Sequence, residues 1–190
     1  MKATFFEAKN SLRLFGLSDE LYFLRNLYIN KKLPKTIMLS GMKGSGKSTL
    51  VNHLLHSIFD KDNYDIKNLK ILNKSGFHIQ FINNIFSNII YIPGNNFTDA
   101  RIDNIRKIKK DILQTSFIDK ERFIIFDDVD LFNVNSLNAL LKVIEEPEKK
   151  NHFILINNNS KPIMATVKSR CLEINIILNE FQRVKIINDL

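Results

Sequence analysis

A single cysteine, Cys171, stands in the 190 residues of this chain. It cannot form an internal disulfide or supply a Cys-rich zinc site, so neither staples nor a structural metal of that kind hold the fold. Long apolar runs are missing as well. The longest, such as those within 88–92 and at 123–126, fall far short of the roughly 20 residues that a membrane-crossing helix needs. The N-terminal stretch Met1-Lys2-Ala3-Thr4-Phe5-Phe6-Glu7 meets an acid before any signal-like apolar core develops, and the chain is expected to stay in the cytoplasm. No internal period, Pro-rich linker or low-complexity tract divides it. Stability must come from a packed core, and 44% hydrophobic with 25% charged residues is the balance of a globular domain of ordinary length.

Acids are outnumbered, and the formal charge is +8. A basic surface attracts a phosphate backbone, but the lysines here are dispersed. Only Lys31-Lys32, 107–110 and Lys149-Lys150 form short groups, which reads as solvated helix faces rather than a nucleic-acid footprint. The richness in Ile, Asn and Lys also fits an AT-rich genome. His53, His56, His78 and His152 lie far apart with no ligand-like acid pattern, and they read as surface or core histidines. His53 and His56 share a helix face, without a third metal ligand in view.

Short strand-like runs alternate with longer amphipathic stretches, the pattern of an α/β domain. Ser18, followed by Asp19 and Glu20, reads as the N-cap of a helix over 18–30 with Leu21, Leu24, Leu27 and Tyr28 on its apolar face. Pro34 breaks the connection, and 36–40 suits a strand buried on both faces. Further strands are expected at 88–92, 122–127, 152–157 and 171–177. Helices are expected at 48–59, at 98–114 capped by Thr98, and at 136–146 ended by Pro147, with a short turn over 161–168. Strands joined by helices of this length pair in parallel through right-handed crossovers. The prediction is a parallel five-stranded sheet with helices on both faces, its ligands at the carboxyl ends of the strands. Residues 60–87 show no clean period and read as an insertion with some helix.

Directly after the first strand comes Gly41-Met42-Lys43-Gly44-Ser45-Gly46-Lys47-Ser48-Thr49, a full match to the phosphate-binding pattern G-x-x-x-x-G-K-[ST] in its strand, loop, helix context. Glycines let successive N–H groups turn inward to phosphate oxygens, and the following helix adds its positive end. Lys47 would reach the β and γ phosphates of ATP, and the Ser48 hydroxyl would bind Mg²⁺. The strand 123–126 ends in Asp127-Asp128-Val129-Asp130, which places Asp127 to hold Mg²⁺ through water. Leu137, Leu140, Leu141 and Ile144 form a core-facing stripe at 3, 4 spacing. Cys171 reads as a small buried residue rather than a reactive thiol.

The run 127–133, then Asn138-Ala139-Leu140-Leu141-Lys142-Val143-Ile144-Glu145-Glu146-Pro147, then 153–156, then Ser169-Arg170-Cys171 resembles the clamp-loader branch of the AAA+ P-loop NTPases. Within that branch it looks most like the delta-prime subunits of bacterial DNA polymerase III. Residues 102–106 resemble a clamp-loader segment too, and the likeness covers 33–178. It implies a subunit of a five-membered machine that uses ATP to open a sliding clamp and place it on primed DNA, beside gamma/tau-type and delta-type subunits. It also implies that Arg170 acts in trans as an arginine finger on a neighbour's nucleotide; a local alternative is a pair with an acid such as Glu173. Asn138, Lys142 and Glu145 would face a neighbouring subunit. Asn157 and Asn158 end a strand where AAA+ proteins keep a polar residue that senses the γ phosphate.

The pattern also departs from the family. Asp128 stands where active members carry the glutamate that orients the attacking water, and the missing methylene predicts slow turnover by this chain. The Cys-rich zinc module of many relatives has no counterpart in 60–87, and Gly16-Leu17 replaces Gly followed by His or Gln. Residues 1–178 read as the NTPase domain, and 179–190 as the start of the helical lid with which relatives continue. Two other functions fit parts of the sequence: a self-sufficient gamma-type ATPase, and a small P-loop kinase. A kinase calls for an Arg-rich lid, whereas arginines are sparse here and Ser169-Arg170-Cys171 begins a strand.

Overall fold

The computed structural model describes residues 8–94, 121–145, 147 and 150–189. They form two compact units. One contains Pro34–Lys43 and Phe86–Ile176; the other contains the chain up to Leu33, Gly44–Ile85 and the chain from Ile177 onward.

In the first unit, β1 (Thr36–Ser40) has all five residues buried, as its apolar run between Pro34 and Gly41 requires. It joins β4 (Ile89–Ile92), β5 (Arg122–Phe126), β6 (Asn151–Asn157) and β7 (Leu172–Asn175) in one sheet of order β4-β5-β6-β1-β7. Every pairing is parallel. One face carries Met38, Ile92, Ile124, Phe126, Phe153 and Leu155 into a core with Leu137, Leu140 and Ile144 of α4 (Val134–Glu145), and with Val167 of α5 (Ala165–Lys168). The alternate residues Ile37, Leu39, Phe123, Ile125, Ile154 and Ile156 are equally buried. Both faces are thus covered, which is the condition for a parallel sheet. The stripe expected on α4 is confirmed, with Leu141 half-buried beside it. Its start is two residues earlier than the sequence suggests, because the Asn133 side chain accepts the Ser136 N–H and caps the first turn.

The second unit holds α1 (Ser18–Ile29) and α2 (Lys47–Phe59). Leu17, not Ser18, is the N-cap residue of α1, with no side-chain cap bond; the Ser18 hydroxyl lies 3.4 Å from the Asp19 carboxylate instead. Residues 60–87 prove to be more than helix. Strands β2 (Tyr64–Asp65) and β3 (Lys70–Ile71) make an antiparallel ribbon, followed by α3 (Gly76–Ile82) capped by Ser75. Two-residue strands are too short to display period 2, so their pattern was invisible. His53 bonds the Tyr64 hydroxyl and the Ser11 carbonyl, and His56 bonds His78 and the Asn52 carbonyl. Burial holds both His53 and His56 down to about 4, so they pack as neutral rings. The last helix, α6 (Glu180–Asp189), opens with a reciprocal cap in which Asn179 and Gln182 exchange backbone-to-side-chain bonds. The helix expected at 98–114 and the segment 102–106 lie outside the described residues. Among the described residues no helix is long and apolar enough to cross a membrane.

Candidate functional site

Sheet order fixes which chain ends meet. Since β6 lies between β1 and β5 and all run the same way, the residues leaving β6 at Asn157 sit between those leaving β1 at Ser40 and those leaving β5 at Phe126. Asn157 is 1% exposed, and its amide donates to the Ser40 hydroxyl and to Asn159. The Ser40 hydroxyl in turn donates to Glu173 at 2.5 Å. The Gly41 N–H is spent on the Asn157 carbonyl at 3.1 Å. Asn157 therefore ties the root of the Gly-rich loop to the neighbouring strand, while Asn158 turns its amide to the Asp128 carboxylate. Of the two asparagines singled out from sequence, it is Asn158 that meets an acid of this edge.

The loop itself runs from buried Gly41 through exposed Met42, Lys43 and Gly44 to Ser45 and Gly46. Gly44 and Gly46 take φ of 83° and 85°, a left-handed backbone that side-chain-bearing residues rarely adopt. Gly46 is the N-cap of α2, so Lys47, Ser48 and Thr49 form its first turn. Lys47 is only 3% exposed, and its ammonium lies 3.3 Å from the Ser45 hydroxyl. Ser48 and Thr49 are half-buried. A helix N-terminus with a buried ammonium in its first residue suits phosphate chemistry.

The acids end β5. Asp127 accepts the Asp128 N–H at 2.9 Å through Oδ1 and the Tyr91 hydroxyl through Oδ2. Burial, with the Asp127 carboxylate as a further cause, pushes the Tyr91 phenol above its usual range. Asp128 has φ of 50° and accepts the Asn158 amide. Asp130 is buried and accepts the N–H groups of Asn158 and Ser160, each at 3.0 Å. Burial alone would raise its carboxyl, but these bonds prevail and hold it below the usual carboxylate range. Hard carboxylate oxygens of this kind suit Mg²⁺, so the donor sets present fit a nucleotide phosphate and its metal.

Gly94 locks this edge. A Cβ there would stand 2.6 Å from both Asp128 Cβ and the Asp128 carbonyl and 2.8 Å from the Asp127 carbonyl. Backbone cannot yield as a side-chain tip can. Gly94→Ala should therefore destabilise the protein by about 1–3 kcal/mol, read as a lower midpoint in urea unfolding; an unchanged midpoint would mean that the segment moves aside freely.

Arg170 follows α5. Its guanidinium is 2.7 Å from the Glu145 carboxylate and donates to the Thr166 carbonyl at 2.9 Å, with about 40% of the side chain exposed. The local acid is thus Glu145, not Glu173, which is taken by Ser40 and Lys168. Asn138 and Lys142 are exposed on α4. Cys171 donates to the Val167 carbonyl, and burial raises its thiol to about 11, so it is no thiolate. Sequence reasoning missed Tyr91, Gly94 and Asp130 as site residues. Only Asp130, inside the acidic run, gave a signal.

A complete phosphate loop leaving β1 of a parallel β4-β5-β6-β1-β7 sheet, with acids leaving β5, defines a P-loop NTPase domain of AAA+ type. A solved gamma-subunit-related protein of DNA polymerase III from Thermotoga maritima shares this fold, with a TM-score of 0.59 at 20% identity over 87% of this chain and 48% of that one. The chain belongs to the DNA polymerase III, delta subunit family, whose sequence model matches residues 17–179. It is 32% identical over 73 residues to DNA polymerase III subunit delta' of Pseudomonas aeruginosa, 38% of this chain and 22% of that protein. To subunit gamma of Buchnera aphidicola subsp. Schizaphis graminum it is 29% identical over 152 residues, 78% of this chain and 40% of that one. In each case the chain spans less than half of its relative's length.

Proposed function

We propose that this chain is a delta-prime-type subunit of a clamp loader, which binds ATP with Mg²⁺ and presents Arg170 to a neighbouring subunit's nucleotide during loading of the sliding clamp onto primed DNA. Residues 41–49 take the phosphates, Ser48 and Asp127 serve the metal, and Asn158 reports on the γ phosphate through Asp128. Bound Mg²⁺ would offset charge on the β and γ oxygens. The observation that carries the reading is the Ser169-Arg170-Cys171 turn, whose guanidinium stays exposed at the surface in a chain of this family. Residues 1–178 serve as the NTPase domain, and α6 opens the lid.

A second reading, a gamma-type ATPase that hydrolyses for itself, draws on the 29% identity to a gamma subunit over 152 residues. Against it, Asp128 is shorter than glutamate and engaged by Asn158, which supports binding with slow turnover. Assembly tests the role. Mixed at about 10 µM, where a complex with a Kd near 1 µM is mostly formed, the full gene product should sediment as one species with the gamma-type and delta-type subunits of its own organism. Separate sedimentation from both would end the clamp-loader reading.

A further inference from the structure

The hydroxyl on Asp127 comes from a residue that no phosphate-loop pattern includes. In β4, Ile90 and Ile92 face the core shared with α4, so Tyr91, alternating with them, points to the opposite face of the sheet. Tyr91 is paired in register with Ile125 of β5. Asp127 lies two residues beyond Ile125, and its N–H bonds the Ile92 carbonyl at 3.0 Å, which extends the ladder past the strand. Residues two apart share a face, so Tyr91 and Asp127 are diagonal neighbours, a separation that an aromatic side chain can span. Tyr91 is 40% exposed and its hydroxyl donates to Oδ2. Oδ1 accepts the Asp128 N–H. Two donors from two directions fix the plane of a carboxylate that can accept about four hydrogen bonds in all.

We propose that Tyr91 is a positioning residue for the metal end of the nucleotide site, its hydroxyl holding the Asp127 carboxylate in the orientation that receives Mg²⁺. The inference rests on the nucleotide-binding reading. Ligating carboxylates are themselves oriented by outer hydrogen bonds, whose loss weakens metal affinity about 10- to 100-fold. Tyr91→Phe keeps the ring on the sheet and deletes only the donor. Asp127 then loses one of these two anchors and keeps the Asp128 N–H.

The test is calorimetric titration of the protein with ATP, once in excess Mg²⁺ and once in EDTA. In Tyr91→Phe the Kd for Mg-ATP should rise about 10-fold, while that for metal-free ATP stays within about 2-fold of wild type. A purely structural role would shift both titrations together, and that result overturns the proposal. So does an unchanged or tightened Mg-ATP affinity, the latter because it would make the hydroxyl a competitor of the metal. Wild type that binds ATP in neither buffer defeats the nucleotide-binding reading itself, whereas wild-type binding with equal metal dependence in the variant defeats only the role of Tyr91. Circular dichroism melts of the two proteins should coincide within a few degrees; a variant melting far lower with its metal dependence intact makes Tyr91 a packing residue and also overturns the proposal.

Discussion

Replacing Lys47 with alanine should abolish measurable ATP binding, raising Kd by at least about 100-fold. Lys47 begins α2 directly after left-handed Gly46, and the loop leaves only 3% of it exposed. Burying an ammonium at a helix N-terminus is costly in the absence of an anion, and this one lies beside the Ser45 hydroxyl at 3.3 Å, in the first turn where a phosphate would sit. A phosphate group brings both charge and acceptors, and bonds between charged groups are worth about 1.5–3 kcal/mol each. Losing two of them accounts for a factor of about 100 or more. Lys47→Met controls for volume and should fail equally. Titration calorimetry with Mg-ATP checks the expectation. Equal affinity of wild type and both variants would mean that the loop is a turn without a ligand, and the family resemblance would then extend to fold alone.

The legible parts of this fold are those in which one physical signal dominates. β1 and β5 are five-residue strands built on the apolar runs 37–39 and 123–126, with clear ends, and both are fully buried; their placement followed from composition and punctuation. α4 followed from its stripe, though its first turn did not, because Asn133 caps through a side-chain bond that the hydrophobic period does not report. The ribbon at Tyr64–Asp65 and Lys70–Ile71 escaped since its order comes from tertiary bonds, such as Ile71 N–H to the Leu12 carbonyl, and from Asp65 accepting two turn N–H groups. The site divides in the same way. Contiguous elements, the loop at 41–49 and the acids after β5, could be read directly. Pairings set by register could not. Tyr91 reaches Asp127, Asn158 reaches Asp128, and Glu145 rather than Glu173 reaches Arg170, because strands and helices distant in sequence end side by side.

Arg170→Ala should lower ATP hydrolysis at the neighbouring gamma-type site of an assembled clamp loader by roughly 10³-fold or more, while leaving ATP binding by this chain nearly unchanged. The asymmetry follows from where the guanidinium sits. Within its own chain it makes a half-exposed ion pair with Glu145, and pairs of that kind contribute only about 0–1 kcal/mol. Its removal therefore costs the isolated chain little, and urea unfolding should detect at most a small shift. In the proposed role the same group would meet, across an interface, charge developing on a transferring phosphoryl group, where an arginine supplied in trans contributes about 10³–10⁵ in rate. The pair with Glu145 is weak enough to yield to a phosphate, so Glu145→Gln should change partner hydrolysis by only a few fold. Arg170→Lys should rescue poorly, since a single ammonium lacks the planar fork that meets two oxygens at once. The measurement is clamp-stimulated phosphate release by complexes whose composition has been verified by sedimentation. Should the Arg170→Ala complex be intact and hydrolyse at the wild-type rate, Arg170 acts only as the local partner of Glu145, and the inter-subunit role falls with it.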